Sequence, residues 1–410
     1  MSMQITTLIA LVLAILIGYK RKINTGFIGI LFAFILGQFM LGISSKEIIK
    51  GFPTSLFFTL FGMTFLFSIA KANGTLALIS NKVCLIANGN TKILPIIFFV
   101  MSGIISALGP GAIVITVLMA PIAMQLADEE NISPLLMGTM IVAGSIAGGL
   151  SPLSPSGIIA NSLAAENGVL NTATSVFFSS FIFMVIYGAI LYIVLGGYKL
   201  AKSDKKQRDK VAFDSNQKKT IIILIAVIIG ILIFKLDIGL TAFAGATILL
   251  LLRAADEKKS ISGVSWGTLI LISGMAILVN VVSIGGGIDA LSNILLKFMN
   301  HKTAAALISV IAGLMSGVSS ASGVVMPTLI PVAVNISGEI GMSANVLVAA
   351  LVAGAHTVTF SPLSTLGALV LASAPEKTDK QKLFTHLMIV GFIAIIASGI
   401  LGLLGVYNIF

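Results

Sequence analysis

Long apolar runs follow one another along this chain with little polar punctuation. They fall at about residues 3–19, 26–45, 54–71, 92–127, 133–165 and 173–198, and, after one polar interval, at about 220–235, 238–253, 264–284, 303–337, 343–374 and 384–408. About 20 apolar residues carry a helix across a hydrocarbon core. The runs are apolar all round rather than alternating, so they predict transmembrane helices and not the strands of a barrel. Two of them, 92–127 and 303–337, are too long for one crossing and too short for two. Each has helix-breaking residues at its centre, Ser106-Ala107-Leu108-Gly109-Pro110-Gly111 and Ser316-Gly317-Val318-Ser319-Ser320-Ala321-Ser322-Gly323. Both read as re-entrant helical hairpins. Irregular backbone at membrane depth survives only inside protein or against a water-filled cavity, so the two tips are expected to line one. The first run, Ile5 to Gly18, is read as a retained span, because Lys20-Arg21-Lys22 follow it rather than precede it.

Composition agrees. Of 410 residues, 57% are hydrophobic and only 10% charged, against about 25% charged in soluble chains. That excludes a soluble enzyme, a nucleic-acid-binding module and a disulfide scaffold; the single cysteine, Cys84, has no partner, and no Cys/His spacing suggests a metal. The net charge of +10 is explained by its distribution. The interval from Lys199 to Lys219 holds eight basic residues and reads as a cytoplasmic connector. Ten spans plus the two hairpins, with both termini outside, place 20 of the 25 Lys and Arg residues on the cytoplasmic side and leave Lys46, Lys50, Lys235, Lys297 and Lys302 outside.

The second half repeats the first. With a shift of 212, Gly51, Gly62, Met63, Gly74, Ser80 and Asn81 meet Gly263, Gly274, Met275, Gly286, Ser292 and Asn293. With a shift of 210, Gly103, Ser106, Pro121, Ala123 and Gly144 meet Gly313, Ser316, Pro331, Ala333 and Gly354, and Ser151-Pro152-Leu153-Ser154 meets Ser361-Pro362-Leu363-Ser364. The expected organisation is a first repeat over 1–198, a connector over 199–219 and a second repeat over 220–410. Five crossings per repeat is an odd number, so the second repeat inserts upside down. The fold class is thus an all-α polytopic membrane protein built as an inverted repeat, each copy with five transmembrane helices and one re-entrant hairpin. This is the architecture of many secondary transporters, whose site lies near the midplane.

Each Ser-Pro-Leu-Ser element interrupts the helix that follows a hairpin, because proline removes a donor and clashes with the preceding turn. Freed carbonyls and hydroxyls suit a hard cation such as sodium, and half-helix N-termini suit carboxylates. No Asp, Glu, Lys or Arg lies centrally in a span, so an intramembrane carboxylate relay is missing. The one deep ionisable residue is His356, whose first-repeat counterpart is Ile146; it reads either as a contact to substrate or proton, or as a neutral side chain bonded to a neighbouring helix. Gly285-Gly286-Gly287 lacks the Lys-Ser/Thr of a phosphate-binding loop, and no catalytic residue is assigned because a Ser-His-Asp set has no central acid.

The chain resembles the MatC-type malonate/dicarboxylate carriers of the ion-transporter superfamily, relatives of the divalent-anion/sodium symporters. The resemblance rests on Gly51-Phe52-Pro53, on Ala107-Leu108-Gly109-Pro110, on Ala147-Gly148-Gly149-Leu150 running into Ser151-Pro152-Leu153-Ser154, and on Ser361-Pro362-Leu363-Ser364-Thr365 with Gly367-Ala368-Leu369-Val370. It implies a homodimer with a scaffold and a moving transport domain of elevator type. It also implies a dicarboxylate held between the tips Ser106–Ala112 and Ser316–Gly323 and the unwound loops Ser151–Gly157 and Ser361–Gly367. The tips depart from the symporters' Ser-Asn-Thr signature, reading Gly109-Pro110-Gly111-Ala112 and Ser320-Ala321-Ser322-Gly323.

The expectation is therefore a secondary active transporter of a small organic anion, a dicarboxylate such as malonate or succinate, in a bacterial-type inner membrane. Candidate substrate contacts are Gly109, Pro110, Gly111, Ser154, Ser156 and Asn161 from the first repeat, with Ser319, Ser320, Ser322, His356, Ser364 and Thr365 from the second. Ser106, Gly109, Ser151, Ser316, Ser319 and Ser361 are the candidate ligands of a coupling Na+, the sole cofactor considered. The expected partners are the anion, the bilayer and a second copy, with no nucleic acid. The alternatives are a carrier of another anion, a sodium/proton antiporter, or, in another class, a channel or intramembrane enzyme.

Overall fold

The computed structural model describes residues 3–84, 90–200, 212–264, 266–317 and 319–409. Among them every regular element is helical. The first ten helices are α1 (Met3–Arg21), α2 (Thr25–Phe34, continued by a π-helical stretch Ile35–Met40), α3 (Ser45–Ile49), α4 (Thr54–Ala72), α5 (Thr75–Cys84), α6 (Leu94–Ala107), α7 (Gly111–Glu129), α8 (Pro134–Gly149), α9 (Pro155–Glu166) and α10 (Thr172–Val194). Local chemistry sets the boundaries. Asn24 caps α2 by accepting from the Gly26 N–H, and Ser44 caps α3 through Glu47. α8 and α9 begin with proline, whose missing N–H costs nothing in a first turn.

The second run follows the same plan. It comprises α11 (Ser215–Leu232), α12 (Ile238–Leu251), α13 (Glu257–Ser262), α14 (Trp266–Ile284), α15 (Gly287–Leu296), α16 (Ala304–Ser316), α17 (Met326–Ile340, preceded by a π-helical stretch Ala321–Val325), α18 (Ala344–Ala355), α19 (Thr365–Ser373) and α20 (Lys380–Leu403). A shift of 212 carries both ends of α4 and α5 onto those of α14 and α15. Part of the basic connector, 201–211, lies outside the described residues; α11 opens just after it with a capping box between Asp214 and Gln217.

Among the described residues, seven helical segments are long and apolar enough to cross a membrane by length and composition. Many of their large apolar side chains face outward, among them Ile190 and Val194 on α10 and Ile396 and Leu403 on α20, as a lipid-facing surface requires. Two groups of helices pack within this set. In one, the runs exchange partners: α4 lies on α12 and α14 on α2, while α1 meets α15 and α11 meets α5. These crossings are close because glycine meets glycine. A Cβ placed on Gly62 would stand 2.4 Å from the Gly239 carbonyl, and one on Gly274 would stand 2.1 Å from that of Gly26.

The other group holds the hairpins and the interrupted helices. α6 packs on α8, α16 on α18, and α10 and α20 cross over to α18 and α8. Here Gly144 lies against the Phe99 carbonyl and Gly354 against that of Ser309, each 2.1 Å from where a Cβ would be. Residues 144 and 99 become 354 and 309 on adding 210, so one close packing has been built twice. Tyr187 on α10 pins this group together by donating to the Val390 carbonyl of α20 at 2.6 Å.

Candidate functional site

The two interruptions are closed by the same hydrogen bonds. The Ser151 hydroxyl accepts from the Leu153 N–H at 3.3 Å and the Ser361 hydroxyl from Leu363 at 3.1 Å. The N–H groups of Ser154 and Ser364 return to the carbonyls of Ser151 and Ser361 at 3.0 and 2.9 Å. The Ser154 hydroxyl donates to Gly149 and the Ser364 hydroxyl to Thr359, at 2.7 and 3.4 Å. Proline alone would only break each helix; the flanking serines turn the break into a defined corner. Behind the corner the two halves differ. α8 stays α-helical to Gly149, whereas α18 stops at Ala355 and tightens into a 3₁₀ turn, Thr357–Phe360.

The tips differ more. At the first, Gly109 and Gly111 take φ of +135° and +79°, which a side chain would strain. This tip is tied to its corner, with Ser106 donating to the Ser145 carbonyl at 2.8 Å and Ser151 to that of Ala107 at 2.5 Å. At the second tip the Ser319 hydroxyl donates to Met315 at 2.7 Å, and Ser320 caps the π-helical stretch by accepting from Gly323 at 3.1 Å. Val318 lies outside the described residues. Tip and corner meet across the copies, the hydroxyls of Ser156 and Ser322 being 2.9 Å apart.

Between tips and corners lies a cavity of about 340 Å³. Its walls include three pairs related by the shift of 210, namely Ala112 with Ser322, Ile146 with His356 and Ser156 with Leu366. The cavity therefore sits where the two copies face each other. Among the described residues no Lys, Arg, Asp or Glu lines it, and its one titratable group is His356. The His356 Nδ1 is 2.8 Å from the Val352 carbonyl. Because a carbonyl only accepts, Nδ1 carries the hydrogen, and Nε2 is left as an acceptor in the neutral ring.

Of the expected substrate contacts, Ser156, Ser319, Ser320, Ser322, His356, Ser364 and Thr365 line this cavity. Gly111 and Ser154 lie buried beneath it. Gly109 and Pro110 line a separate crevice beside α4, and Asn161 is engaged by the Thr172 hydroxyl at 2.9 Å. Of the expected sodium ligands, Ser316 and Ser319 reach the cavity. Ser106, Ser151 and Ser361 donate to Ser145, Ala107 and the Met388 sulfur, and Gly109 is in the crevice. Cavity residues not anticipated from the sequence include Thr25, Ala112, Ile146 and Thr359. Ala112 and Ile146 are the counterparts by the repeat of Ser322 and His356, so carrying those polar candidates across the repeat would have found them; Thr359 is the counterpart of Gly149, which was not a candidate. Thr25 comes from the other helix group, and nothing in its local sequence marks it.

Two crevices run along the seam between the helix groups. One, lined by Thr64, Phe67, Ser68 and Lys71 of α4, faces the first hairpin; the other, lined by Ala276, Val279, Asn280 and Ser283 of α14, faces the second. These are the same four positions, 212 apart. The hairpins nevertheless sit at different heights. Gly109 of the first tip abuts Met63 and Phe67, whereas Gly323 of the second abuts Leu271, whose counterpart on α4 is Thr59. The second hairpin packs along α14 while the first has no comparable packing on α4, and α9 packs on α4 where α19 has no comparable packing on α14.

Residues 1–149 match the family model of the dicarboxylate carrier protein MatC N-terminus, and residues 229–409 match that of the citrate transporters. Each match covers less than half of the chain, the first part resembling one family of carriers and the second part the other. The chain's fold is shared with the Alcanivorax borkumensis YdaH transporter, whose crystal structure is described as revealing an unusual topology. The TM-score is 0.62 at 13% identity, over 89% of this chain and 87% of that one. A search of the curated proteins found no match. The chain is accordingly a multi-pass membrane protein, and the families whose models match its two parts are transporters of organic anions.

Proposed function

We propose that this protein is a secondary active carrier of a small organic anion, a dicarboxylate of malonate or succinate size. It works as an elevator in which the hairpin-bearing helix group slides past the other. The observation that supports this best is the unequal height of the two tips. Two inverted copies with equal tip heights would be half-way through a transport cycle. Here both tips lie toward one end of their partner helices, Phe67 being near the end of α4 and Leu271 near the start of α14. In antiparallel helices those are the same side of the membrane. By the distribution of basic residues that side is the cytoplasm, so the cavity opens inward, as the presence of Gly18 and Thr25 in its walls also suggests. Asp128 and Lys377, 2.7 Å apart at the feet of the first hairpin and of α19, fit the same orientation.

In such a carrier the neutral hydroxyls and helix N-termini of the cavity hold the anion without a fixed positive charge. A coupling cation bound near Ser316 and Ser319 would supply the missing charge. A homodimer assembled through the static group would hold that group still while the other moves. Purified protein in liposomes should accumulate labelled malonate or succinate when an inward sodium or proton gradient is imposed, with Ser322→Ala and His356→Leu reducing uptake at least tenfold. Uptake indifferent to every gradient rejects coupled transport. Sodium-driven proton flux without anion uptake would favour an antiporter.

A further inference from the structure

The cavity walls are chemically unequal although the backbone around them is repeated. On the second-repeat side stand Ser319, Ser320, Ser322, His356, Thr359 and Thr365. The first-repeat positions opposite them are stripped of polar groups: Ala112 stands for Ser322 and Ile146 for His356, with Ile113 beside them. The hydroxyl that α9 contributes, on Ser156, is turned to the other side, 2.9 Å from the Ser322 hydroxyl. Thr25 belongs to the static helix group, apart from the facing copies. Resting on the reading of this protein as an organic-anion carrier, the geometry points to a cargo with its charge gathered at one end and hydrocarbon at the other. Carboxylates attached to one carbon, as in a malonate bearing an alkyl substituent, meet that requirement. Carboxylates at opposite ends of a chain do not.

A carboxylate seated against the second-repeat side finds hydroxyl donors, and the neutral His356 ring offers Nε2 to any proton the anion carries. A second carboxylate pointing the other way would meet the side chains of Ala112 and Ile146, with the first-turn N–H groups of α7 in place of hydroxyls as its donors, a loss of about tenfold in affinity. An alkyl group in that place is instead removed from water, for a gain of about fourfold per added methylene. The cavity, at about 340 Å³, falls within the range of pockets that enclose ligands larger than a three-carbon dianion.

The test is ligand binding to the purified full-length protein, by thermal shift and by competition with labelled malonate. The probes are malonate, methylmalonate, ethylmalonate, succinate, glutarate and butyrate. We expect methylmalonate and ethylmalonate to bind progressively tighter than malonate, and glutarate to bind at least about tenfold more weakly than ethylmalonate. Butyrate separates the two one-ended chemistries: affinity equal to that of ethylmalonate assigns a single carboxylate head, weaker affinity a paired one, and both agree with the inference. Glutarate binding as well as ethylmalonate, or exclusion of the alkylmalonates while malonate binds, overturns the inference and leaves the carrier reading standing. Binding of none of the six overturns both. Ala112→Ser, which copies the polar residue of the second repeat into the first, should lower the ethylmalonate-to-glutarate ratio; an unchanged ratio in a folded variant also counts against the inference.

Discussion

If the hairpin group slides, the distance it travels can be worked out from the two copies. In the inverted state each copy adopts the arrangement now held by the other. Gly323, now at Leu271, corresponds to Ile113, and Leu271 corresponds to Thr59. Ile113 is therefore expected to reach Thr59 once the protein faces outward, although at present it shares a crevice with Phe67 and Lys71. Thr59 and Phe67 are eight residues apart on α4, which at about 1.5 Å per residue is a travel of about 12 Å. A disulfide tolerates a Cα separation of no more than about 7 Å, and Lys71, in the same crevice, is twelve residues or about 18 Å from Thr59 along α4, so one position of Ile113 cannot serve both Thr59 and Lys71. In a Cys84→Ser background, the pair Ile113→Cys with Lys71→Cys should cross-link in the present state. The pair Ile113→Cys with Thr59→Cys should cross-link only in the other. Each bridge should abolish uptake into proteoliposomes, and reduction should restore it. The reasoning fails if the Thr59 pair never forms while the Lys71 pair forms readily and leaves transport unimpaired.

The packing makes further predictions. Gly144→Ala and Gly354→Ala each push a methyl group to 2.1 Å from a backbone carbonyl; both should destabilise the protein by about 1–3 kcal/mol or more, read as a lower melting temperature in detergent. Tyr187→Phe removes the donor to Val390, whose carbonyl keeps its partner within α20, so the cost is that of one hydrogen bond, about 0.5–1.5 kcal/mol in the same assay. Lys377→Ala removes an ion pair whose side chains are 67% and 37% exposed; it should change stability by less than about 1 kcal/mol.

The fold was largely legible because membrane burial writes a simple code. Hairpins, breaks and the repeat all appear as glycine, serine and proline interrupting apolar runs, and the proline-serine corners fold as their spacing implies. The second-repeat half of the cavity was legible for the same reason, since hydroxyls and a histidine are conspicuous in an apolar sequence. Its first-repeat half was not. Ile146 and Ala112 look like any lipid-facing or core residue, and only their relation to His356 and Ser322 marks them. Asn161 shows the opposite error: it is polar, it follows a break, and its carbonyl is taken by Thr172. Polarity in a membrane helix identifies a group that needs a partner, and that partner can equally be a neighbouring helix. The unequal tip heights could not be read from sequence at all, because both states satisfy the same apolar pattern.

The two copies have kept different things. Backbone features that need close approach recur pair by pair: the glycine crossings at Gly144 and Gly354, the corners at Ser151 and Ser361, and the tip positions that let one hairpin take the place of the other. Under the proposed elevator cycle each would be required in both copies, because the copies would exchange conformations and a misfit in either would stop them. Cavity side chains of the hairpin group are under no such demand in that cycle, since the cargo would travel with them. His356 could therefore remain opposite Ile146, and Ser322 opposite Ala112, without harming the exchange. Symmetry of the frame and asymmetry of the site are thus expected together. A carrier of this design can change its cargo through the first-repeat wall while every glycine crossing that permits the motion stays in place.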